Sequence, residues 1–222
     1  MRIGTWNLQG RWDQRHIDVI EAMACDVLLL TEVPERAHLR DMELHASSAR
    51  MASRRHWAAV ASRRPFVRVP DPHGASAMVE IEGLRVCSSV LPWRSCGTNA
   101  PWTGSNTAEK TEAAVQMIRS AAPDVWGGDW NHAMSGPEHV GSQRGRRAIR
   151  AATHELGLQV PTSDSAHQIE GLLSIDHVAV PRSWRVREVL SHSAAVGGVQ
   201  ISDHDAYAVG LDLDQGRGSG GS

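Results

Sequence analysis

Short, continuous apolar runs divide the chain, and several of them lead directly into a polar group. The run Val27 to Leu30 is the clearest example, because its length and composition predict a strand that is buried on both faces. It ends in Thr31-Glu32, which places a carboxylate at the edge of the predicted sheet. A strand that is apolar on both faces has to be covered on both sides, so this run constrains the chain to a layered fold.

Helical periodicity appears between the strands in three places. Ile17, Ile20 and Met23 follow a plausible N-cap at Asp13, and two further helices are predicted at 108–121 and 144–156. Strands are predicted at 2–8, 27–30, 57–61, 77–81, 84–90, 124–127, 174–180, 186–190 and 206–213. Strands that alternate with helices, several of them adjacent in sequence, predict a layered α/β domain with mixed sheets.

The length of 222 residues fits one domain, which we place at 1–215. Residues 216–222 (GRGSGGS) have the composition of a flexible tail, either a linker or an expression remnant. Three cysteines without CxxC spacing indicate neither a disulfide framework nor a zinc cage, so a reduced, cytoplasmic monomer is expected. The sequence has no apolar run long enough to span a bilayer. A net charge of −2 means that any nucleic-acid binding depends on local basic patches.

Five segments, TWN, TEV, GDWN, IDH and SDH, place polar side chains at or just after the ends of predicted strands. These side chains are Asn7, Glu32, Asp129, Asn131, Asp176, His177, Asp203 and His204. A single carboxylate after a strand is ordinarily a turn residue or a helix cap. Five such segments in one chain instead favour a common ligand-binding edge. His177 directly follows Asp176, so on a strand it points to the opposite face and is predicted to be structural.

The residue types suit the hydrolysis of a phosphodiester. Mg²⁺ prefers oxygen ligands and takes few carboxylates, so Glu32 can bind it while Asn7 and Asp203 complete or orient the shell. His204 can bind a phosphate oxygen or move a proton, and Asp176 can hold its imidazole in one tautomer. The lack of a Cys/His ligand cluster argues against zinc.

The segments TWN, LTE, GDWN, SIDHV and SDH resemble, in order and placement, those of the endonuclease/exonuclease/phosphatase superfamily. That superfamily includes DNase I-like nucleases, abasic-site endonucleases, inositol polyphosphate phosphatases and sphingomyelinases. The resemblance runs from Asn7 to His204, which is nearly the whole chain. It implies a four-layer α/β sandwich, in which two packed mixed β-sheets are flanked by helices.

The resemblance also implies a metal and its ligands. Glu32 would be the principal ligand of Mg²⁺ (or Mn²⁺), Asn7 would lie beside it, and Asp203 would assist the metal or its water.

The catalytic roles follow from the same resemblance. Asp129 would orient or activate the attacking water, Asn131 would hold the scissile phosphate, and His204 would contact the phosphate while paired with Asp176. Family members differ in their general base, so the choice between Asp129 and His204 stays open.

One segment departs from the pattern of the resembled nucleases. Many of them carry a His or Tyr after the central strand, whereas residues 86–93 read VCSSVLPW. Ser89 or Trp93 fills that space, or a metal-bound water protonates the leaving group. The general acid, and with it the substrate subclass, is left open.

Two arginine clusters and one tryptophan are candidates for substrate binding. The clusters are Arg50, Arg54, Arg55, His56, Arg63 and Arg64, and then Arg144, Arg146, Arg147 and Arg150. Each is either a solvated face balanced by acids or a set of phosphate contacts, and Arg144 is favoured because its cluster follows GDWN closely. Trp93 serves either as a core or lid residue or as a platform for a base.

These observations predict a divalent-metal-dependent phosphodiester hydrolase, most simply a small nuclease that acts on DNA or RNA. The alternative enzyme is a phosphatase or phosphodiesterase of a small molecule or lipid head group, which the near-neutral charge permits. A non-catalytic binding protein with the same fold is a third hypothesis, although the carboxylates and the histidine are all retained.

Overall fold

A computed structural model of the chain describes residues 1–97 and 101–212. Its strands are β1 (Arg2–Asn7), β2 (Val27–Pro34), β3 (Glu43–Ala46), β4 (Arg50–Ala52), β5 (Arg55–Ser62), β6 (Val67–Arg68), β7 (Ser76–Ile81), β8 (Leu84–Ser89), β9 (Val125–Asp129), β10 (Leu158–Gln159), β11 (Asp176–Pro181), β12 (Arg185–His192), β13 (Ala195–Val196), β14 (Val199–Gln200) and β15 (Ala206–Asp212). The helices are α1 (Gln14–Met23), α2 (Thr107–Ala121), α3 (Gln143–Glu155) and a short 3₁₀ helix (Pro161–Asp164). The predicted tail at 216–222 lies outside the described residues.

The strands form two mixed sheets and one small hairpin. The first sheet has the order β12-β15-β1-β2-β5-β3, with β4 also paired to β5, and the second has the order β10-β11-β9-β8-β7-β6. Among the described residues, the one parallel pair in each sheet is the central one, namely β1 with β2 and β8 with β9. The other pairs within these two sheets are antiparallel, so the prediction of mixed sheets is confirmed.

The two sheets pack face to face over a layer of aliphatic side chains. Ile3 and Leu29 from the first sheet meet Val79, Val125 and Val178 from the second, and all of them are buried. Branched side chains suit this layer because they fill a pleated surface with little loss of rotamer freedom. The run Val27 to Leu30 is apolar on both faces because it also has a helix on its other side.

Helices cover the outer faces of both sheets. Ile20 and Met23 of α1 pack on Trp6 of the first sheet, while Ile118 of α2 and Ile149 of α3 join the cluster around Trp126 of the second. The order from one surface to the other is therefore helix, sheet, sheet, helices. This is the predicted four-layer α/β sandwich.

Side-chain caps fix the beginnings of the helices. The carboxylate of Asp13 accepts a hydrogen bond from the backbone N–H of Arg15, and His16 completes a capping box, which confirms the predicted N-cap. Asn106 caps α2 by accepting from Glu109, and Ser142 caps α3 by accepting from Gly145. Within the described residues, no helix is both long and apolar enough to cross a membrane.

The second strand is longer than the sequence predicts. Instead of ending before Glu32, β2 runs to Pro34, because it stays paired with β5 as far as the partners Pro34 and Arg55. Glu32 consequently lies within the strand, and its backbone there is left-handed, with φ 51°.

Candidate active site

The candidate site lies at one edge of the two packed sheets. Asn7, Glu32 and Asp129 lie at or near the carboxyl ends of β1, β2 and β9, as predicted. Asp176 and His204, by contrast, lie at the start of β11 and just before β15. The expectation that all five segments follow strands is therefore wrong for these two. They reach the same edge because β11 is antiparallel to β9, with Asp176 opposite Asp129, and β15 is antiparallel to β1.

The amide of Asn7 links the carboxylates of the two sheets. Its Nδ2 donates to Asp129 Oδ2 at 3.0 Å and lies 3.4 Å from Glu32 Oε1. Its Oδ1 accepts the backbone N–H of Gln9 at 2.8 Å, which fixes the orientation of the amide. Asn7 is buried, so this arrangement is held without competition from solvent. In this rotamer Asn7 turns its Nδ2, and not its Oδ1, toward the two carboxylates. It therefore orients them and does not offer a ligand oxygen to a cation held between them.

The carboxylate of Glu32 is shared with an arginine. Arg55 Nη1 lies 2.7 Å from Glu32 Oε2, and its guanidinium packs against Gly10. Gly10 has φ 65°, which favours glycine, and a Cβ there would lie 2.4 Å from Arg55 Nε and displace this guanidinium. A cation bound at Glu32 has to share this carboxylate with Arg55.

The loop after β9 arranges Asp129 and Asn131 around the same space. Asp129 Oδ1 accepts the backbone N–H of Asn131 at 3.0 Å, and Asn131 Nδ2 donates to the carbonyl of Leu91 at 2.9 Å. Asn131 has φ 52°, so it is left-handed like Glu32. Such conformations are rare outside glycine and gather at functional sites, where the surrounding structure holds them in place.

A short hydrogen bond joins His204 to Asp176. His204 Nδ1 lies 2.6 Å from Asp176 Oδ2, and both side chains are largely buried. The backbone of His204 is fixed on both sides, since its N–H donates to Ser202 Oγ and its carbonyl accepts from Trp6 Nε1. Asp203 is different, because its side chain is 61% exposed and its Oδ1 is 3.8 Å from His204 Nε2.

The electrostatics of the site reflect its surplus of acidic groups. Burial raises the pKa of Asp129 to about 7, and the nearby carboxylates of Asp176 and Glu32 add to this rise. For His204, burial opposes the charged form, but the carboxylates of Asp176, Asp129 and Asp203 outweigh it and raise its pKa to about 10. The imidazolium therefore persists at neutral pH.

The donor set fits a hard divalent cation. Carboxylate oxygens of Asp129 and Asp176 and a ring nitrogen of His204 lie within 4.8 Å of one another, and Glu32 joins them through Asn7. As an imidazolium His204 has no free lone pair, so the carboxylate oxygens are the available ligands. Asp176 Oδ1 is buried and has no hydrogen-bond partner among the described residues. A buried carboxylate oxygen without a donor is costly, and a cation would satisfy it. Oxygen donors of this kind suit Mg²⁺ or Mn²⁺.

The family model described as the endonuclease/exonuclease/phosphatase family matches residues 4–204 of the chain, which include every candidate residue of this edge. The chain belongs to this family. Its members hydrolyse phosphoester bonds and generally use divalent metal ions. None of the curated protein sequences matches the chain significantly.

Solved structures of the same fold cover nearly the whole chain. An AP endonuclease from Archaeoglobus fulgidus is 16% identical, with a TM-score of 0.70 over 96% of this chain and 100% of its own. The 3′ phosphatase NExo from Neisseria, bound to a product DNA hairpin, is 18% identical, with a TM-score of 0.67 over 96% and 99%. The endonuclease domain of TRAS1, a telomere-specific non-LTR retrotransposon, is 17% identical, with a TM-score of 0.66 over 96% and 99%. At these identities the likeness establishes the fold alone.

Residues 86–93 lack the His or Tyr that many nucleases of the family carry, and Ser89 does not replace it. Ser89 is fully buried, and its hydroxyl accepts a hydrogen bond from Trp126 Nε1 at 2.7 Å. It therefore points into the core beneath α2 and α3. Trp93 is partly buried against Trp57 and Trp102, with ring centroids 6.5 and 5.6 Å away, so this packing supports its reading as a core or lid residue. Base stacking by Trp93 stays a prediction.

Arginines of the two clusters form ion pairs with different acidic residues. Arg144 forms a bidentate pair with Glu112 of α2, at 2.5 and 2.7 Å, on an exposed face between the two helices. This pairing matches the solvated-face reading, and a phosphate contact by Arg144 remains a prediction. In the first cluster Arg55 reaches Glu32, whereas Arg64 pairs with Glu82.

His177 lies on the opposite face of β11 from Asp176. Its ring is fully buried, packs 5.1 Å from Trp130 and reaches the carbonyl of His132. These contacts agree with the structural role predicted for it.

Two residues that support the site, Trp6 and Ser202, were not among the predicted site residues, and the pairing of Arg55 with Glu32 was not predicted. Trp6 and Ser202 belong to the motifs TWN and SDH, so their positions offered a signal. The partner of Arg55 had no local signal, because it lies on a neighbouring strand.

Proposed function

We propose that this protein is a divalent-metal-dependent phosphodiester hydrolase that cleaves nucleic acid, DNA or RNA, by attack of water on phosphorus. The observation that carries the proposal is the His204–Asp176 pair, 2.6 Å apart, next to Asp129 and joined through Asn7 to Glu32. This arrangement places the imidazolium of His204, the carboxylate of Asp129 and the metal-binding carboxylate of Glu32 around one space.

His204 stabilises the charge that develops on the phosphoryl group. Its Nδ1 is bonded to Asp176, which leaves Nε2–H to donate to a phosphoryl oxygen. A cationic donor that is already in place needs no reorganisation during the reaction, and this is the main reason that such groups accelerate phosphoryl transfer.

Asp129 accepts the proton of the attacking water while the bond from phosphorus to the leaving oxygen breaks, and that oxygen takes its proton from a water molecule. Its two oxygens are held by Asn7 and by the backbone of Asn131, so the carboxylate keeps one orientation as the water approaches. Asn131 holds the scissile phosphate beside it. In this proposal His204 is not the base, because an imidazolium has no free lone pair to accept a proton.

Glu32 would be the principal ligand for Mg²⁺ or Mn²⁺, with Asn7 orienting it, and Asp203 would assist the metal or its water. The bound cation supplies Lewis-acid neutralisation of the phosphate charge. The free thiols of Cys25, Cys87 and Cys96 support a reducing, cytoplasmic setting. That the protein is a monomer with a single domain at 1–215 is part of the same proposal.

Hydrolysis assays with paired variants test the proposed function. The substrates are plasmid DNA, single-stranded RNA, bis(p-nitrophenyl) phosphate and p-nitrophenyl phosphate, each with Mg²⁺, with Mn²⁺ or with EDTA. Asp129→Asn, Glu32→Gln and His204→Ala should each lower turnover by about 100-fold or more while the circular dichroism spectrum is unchanged.

Asp124→Asn is the matched control, because Asp124 directly precedes β9, at the opposite end from Asp129, and accepts a backbone N–H that asparagine can also accept. It should keep full activity. Undiminished turnover in all three site variants would refute the assignment of these residues to the active site. Hydrolysis of the monoester but of neither polymer would favour the small-molecule phosphatase instead.

A further inference from the structure

A groove lined by arginines lies next to the site, because Arg55, which lines it, contacts Glu32 at 2.7 Å. Its first part has a volume of about 540 Å³ and is lined by Arg36, Arg54 and Arg55, with Gly10 and Pro34. A second groove of about 340 Å³ adjoins it, is also lined by Arg36 and extends to Arg11. We call the two together the arginine trough, defined by Arg11, Arg36, Arg54 and Arg55.

The acidic residues along the trough are already paired with other arginines. Glu35 pairs with Arg50, and Asp13 pairs with Arg15 at 2.5 Å. Arg11, Arg36 and Arg54 are exposed, and none of them lies within 4.0 Å of a carboxylate in the part of the chain that the structure describes. The trough therefore carries a local positive charge on a protein whose formal net charge is −2.

The backbone holds this trough in shape. Arg54 has φ 59°, and its carbonyl accepts the N–H of Glu35 at 3.0 Å, which ties the turn before β5 to the end of β2. Arg55 follows directly and connects the trough to Glu32. Its guanidinium packs against Gly10 and contacts the carboxylate of Glu32, so the trough reaches the site through Arg55.

A row of guanidinium groups that begins at a phosphoester-cleaving site matches a row of phosphates. A small phosphoester presents one anionic group and would leave Arg11, Arg36 and Arg54 without anionic partners, whereas a nucleic-acid strand repeats its phosphate at every nucleotide. Guanidinium forks bind phosphate oxygens in a bidentate manner.

We infer that the arginine trough binds the phosphates that flank the scissile bond of a nucleic-acid strand, an inference that rests on the proposed function and names its substrate class. Arg36 and Arg54 contact flanking phosphates, and Arg55 lies between these contacts and the reacting group.

Binding of a short fluorescent single-stranded DNA in EDTA, measured by anisotropy over a range of NaCl concentrations, tests the trough without cleavage. The double variant Arg36→Gln/Arg54→Gln should weaken binding by about tenfold. The magnitude of the negative slope of log Kobs against log salt should fall by roughly 1.4, the value for two lost phosphate contacts on a single strand. The control Arg68→Gln/Arg185→Gln removes the same charge from exposed arginines on β6 and β12, outside both arginine clusters, and its binding should match that of the wild type.

Hydrolysis of bis(p-nitrophenyl) phosphate with Mn²⁺ should be equal in the wild type and the trough variant, because this substrate has no flanking phosphates. An unchanged affinity and slope in the trough variant, or an equal loss in the control variant, would overturn the inference. Failure of the wild type to hydrolyse any phosphoester would refute the proposed function separately, since the DNA-binding measurement needs no catalysis.

Discussion

At the scale of single residues, the surroundings decide which histidines carry charge. His204 faces three carboxylates, and its pKa rises to about 10 although burial opposes this. His73 and His177 are equally removed from solvent, and desolvation lowers the pKa of each to about 4. The same residue type is thus cationic in the candidate site and neutral in the core.

His73 makes the stability of the fold sensitive to acid. Its unfolded pKa is near 6.5 and its folded pKa is about 4, so between these values the unfolded chain binds more protons than the folded chain. The free energy of unfolding should therefore fall as the pH drops through this window, by up to about 1.4 kcal/mol per pH unit from this group, and stay constant above it.

His73→Asn tests this dependence, because its side-chain oxygen can still accept the N–H of Ala75 that now bonds to Nδ1. Urea unfolding at pH 7 and pH 5 should show a smaller loss of stability in the variant than in the wild type. Equal losses would mean that other groups account for the acid sensitivity.

At the scale of elements, the close approach of β8 and β9 brings Asp129 to the edge of the sheet. Gly128 has φ 116°, and a Cβ there would lie 2.3 Å from the carbonyl oxygen of Ser89. The backbones can come this close only because the residue before Asp129 has no side chain. Gly128 of GDWN is therefore part of the site's architecture.

Gly128→Ala should destabilise the protein by about 2 kcal/mol or more, because the added methyl group meets backbone that cannot move freely. Gly157→Ala is the matched control, since Gly157 also has a positive φ but no atom within 4 Å of the added Cβ. It should cost about 1 kcal/mol from the backbone conformation alone. Urea midpoints of the two variants give the comparison, and equal losses would remove the steric argument.

At the scale of the whole molecule, the site joins both sheets. Asn7 and Glu32 come from the first sheet and Asp129 and Asp176 from the second, so a cation held among them binds the folded chain and not the unfolded one. Binding therefore contributes to the stability of the entire fold, by about 2.7 kcal/mol at a hundredfold excess over Kd.

Addition of Mn²⁺ should raise the melting temperature by several degrees, and EDTA should reverse the rise. Glu32→Gln should reduce the shift, while Asp124→Asn should retain it. A melting temperature that does not respond to Mg²⁺ or Mn²⁺ at millimolar concentration would argue against metal binding at this edge.

The sequence alone determined the layers of this protein and the membership of its candidate site. Periodicity and capping are local properties, so helices begin near Asp13 and Asn106 as predicted, and the apolar run before Thr31 required cover on both faces. The strand-end pattern selected Asn7, Glu32, Asp129, Asp176 and His204, which the fold brings together.

Tertiary structure decided the direction in which each segment reaches the edge, and the partner that each side chain meets there. Asp176 begins a strand because β11 pairs antiparallel with β9, and β2 continues past Glu32 because β5 pairs with it. Arg55 faces Glu32, whereas Arg144 faces Glu112, although both lie in similar clusters of arginines. These outcomes depend on contacts between residues far apart in the chain, which no local pattern encodes.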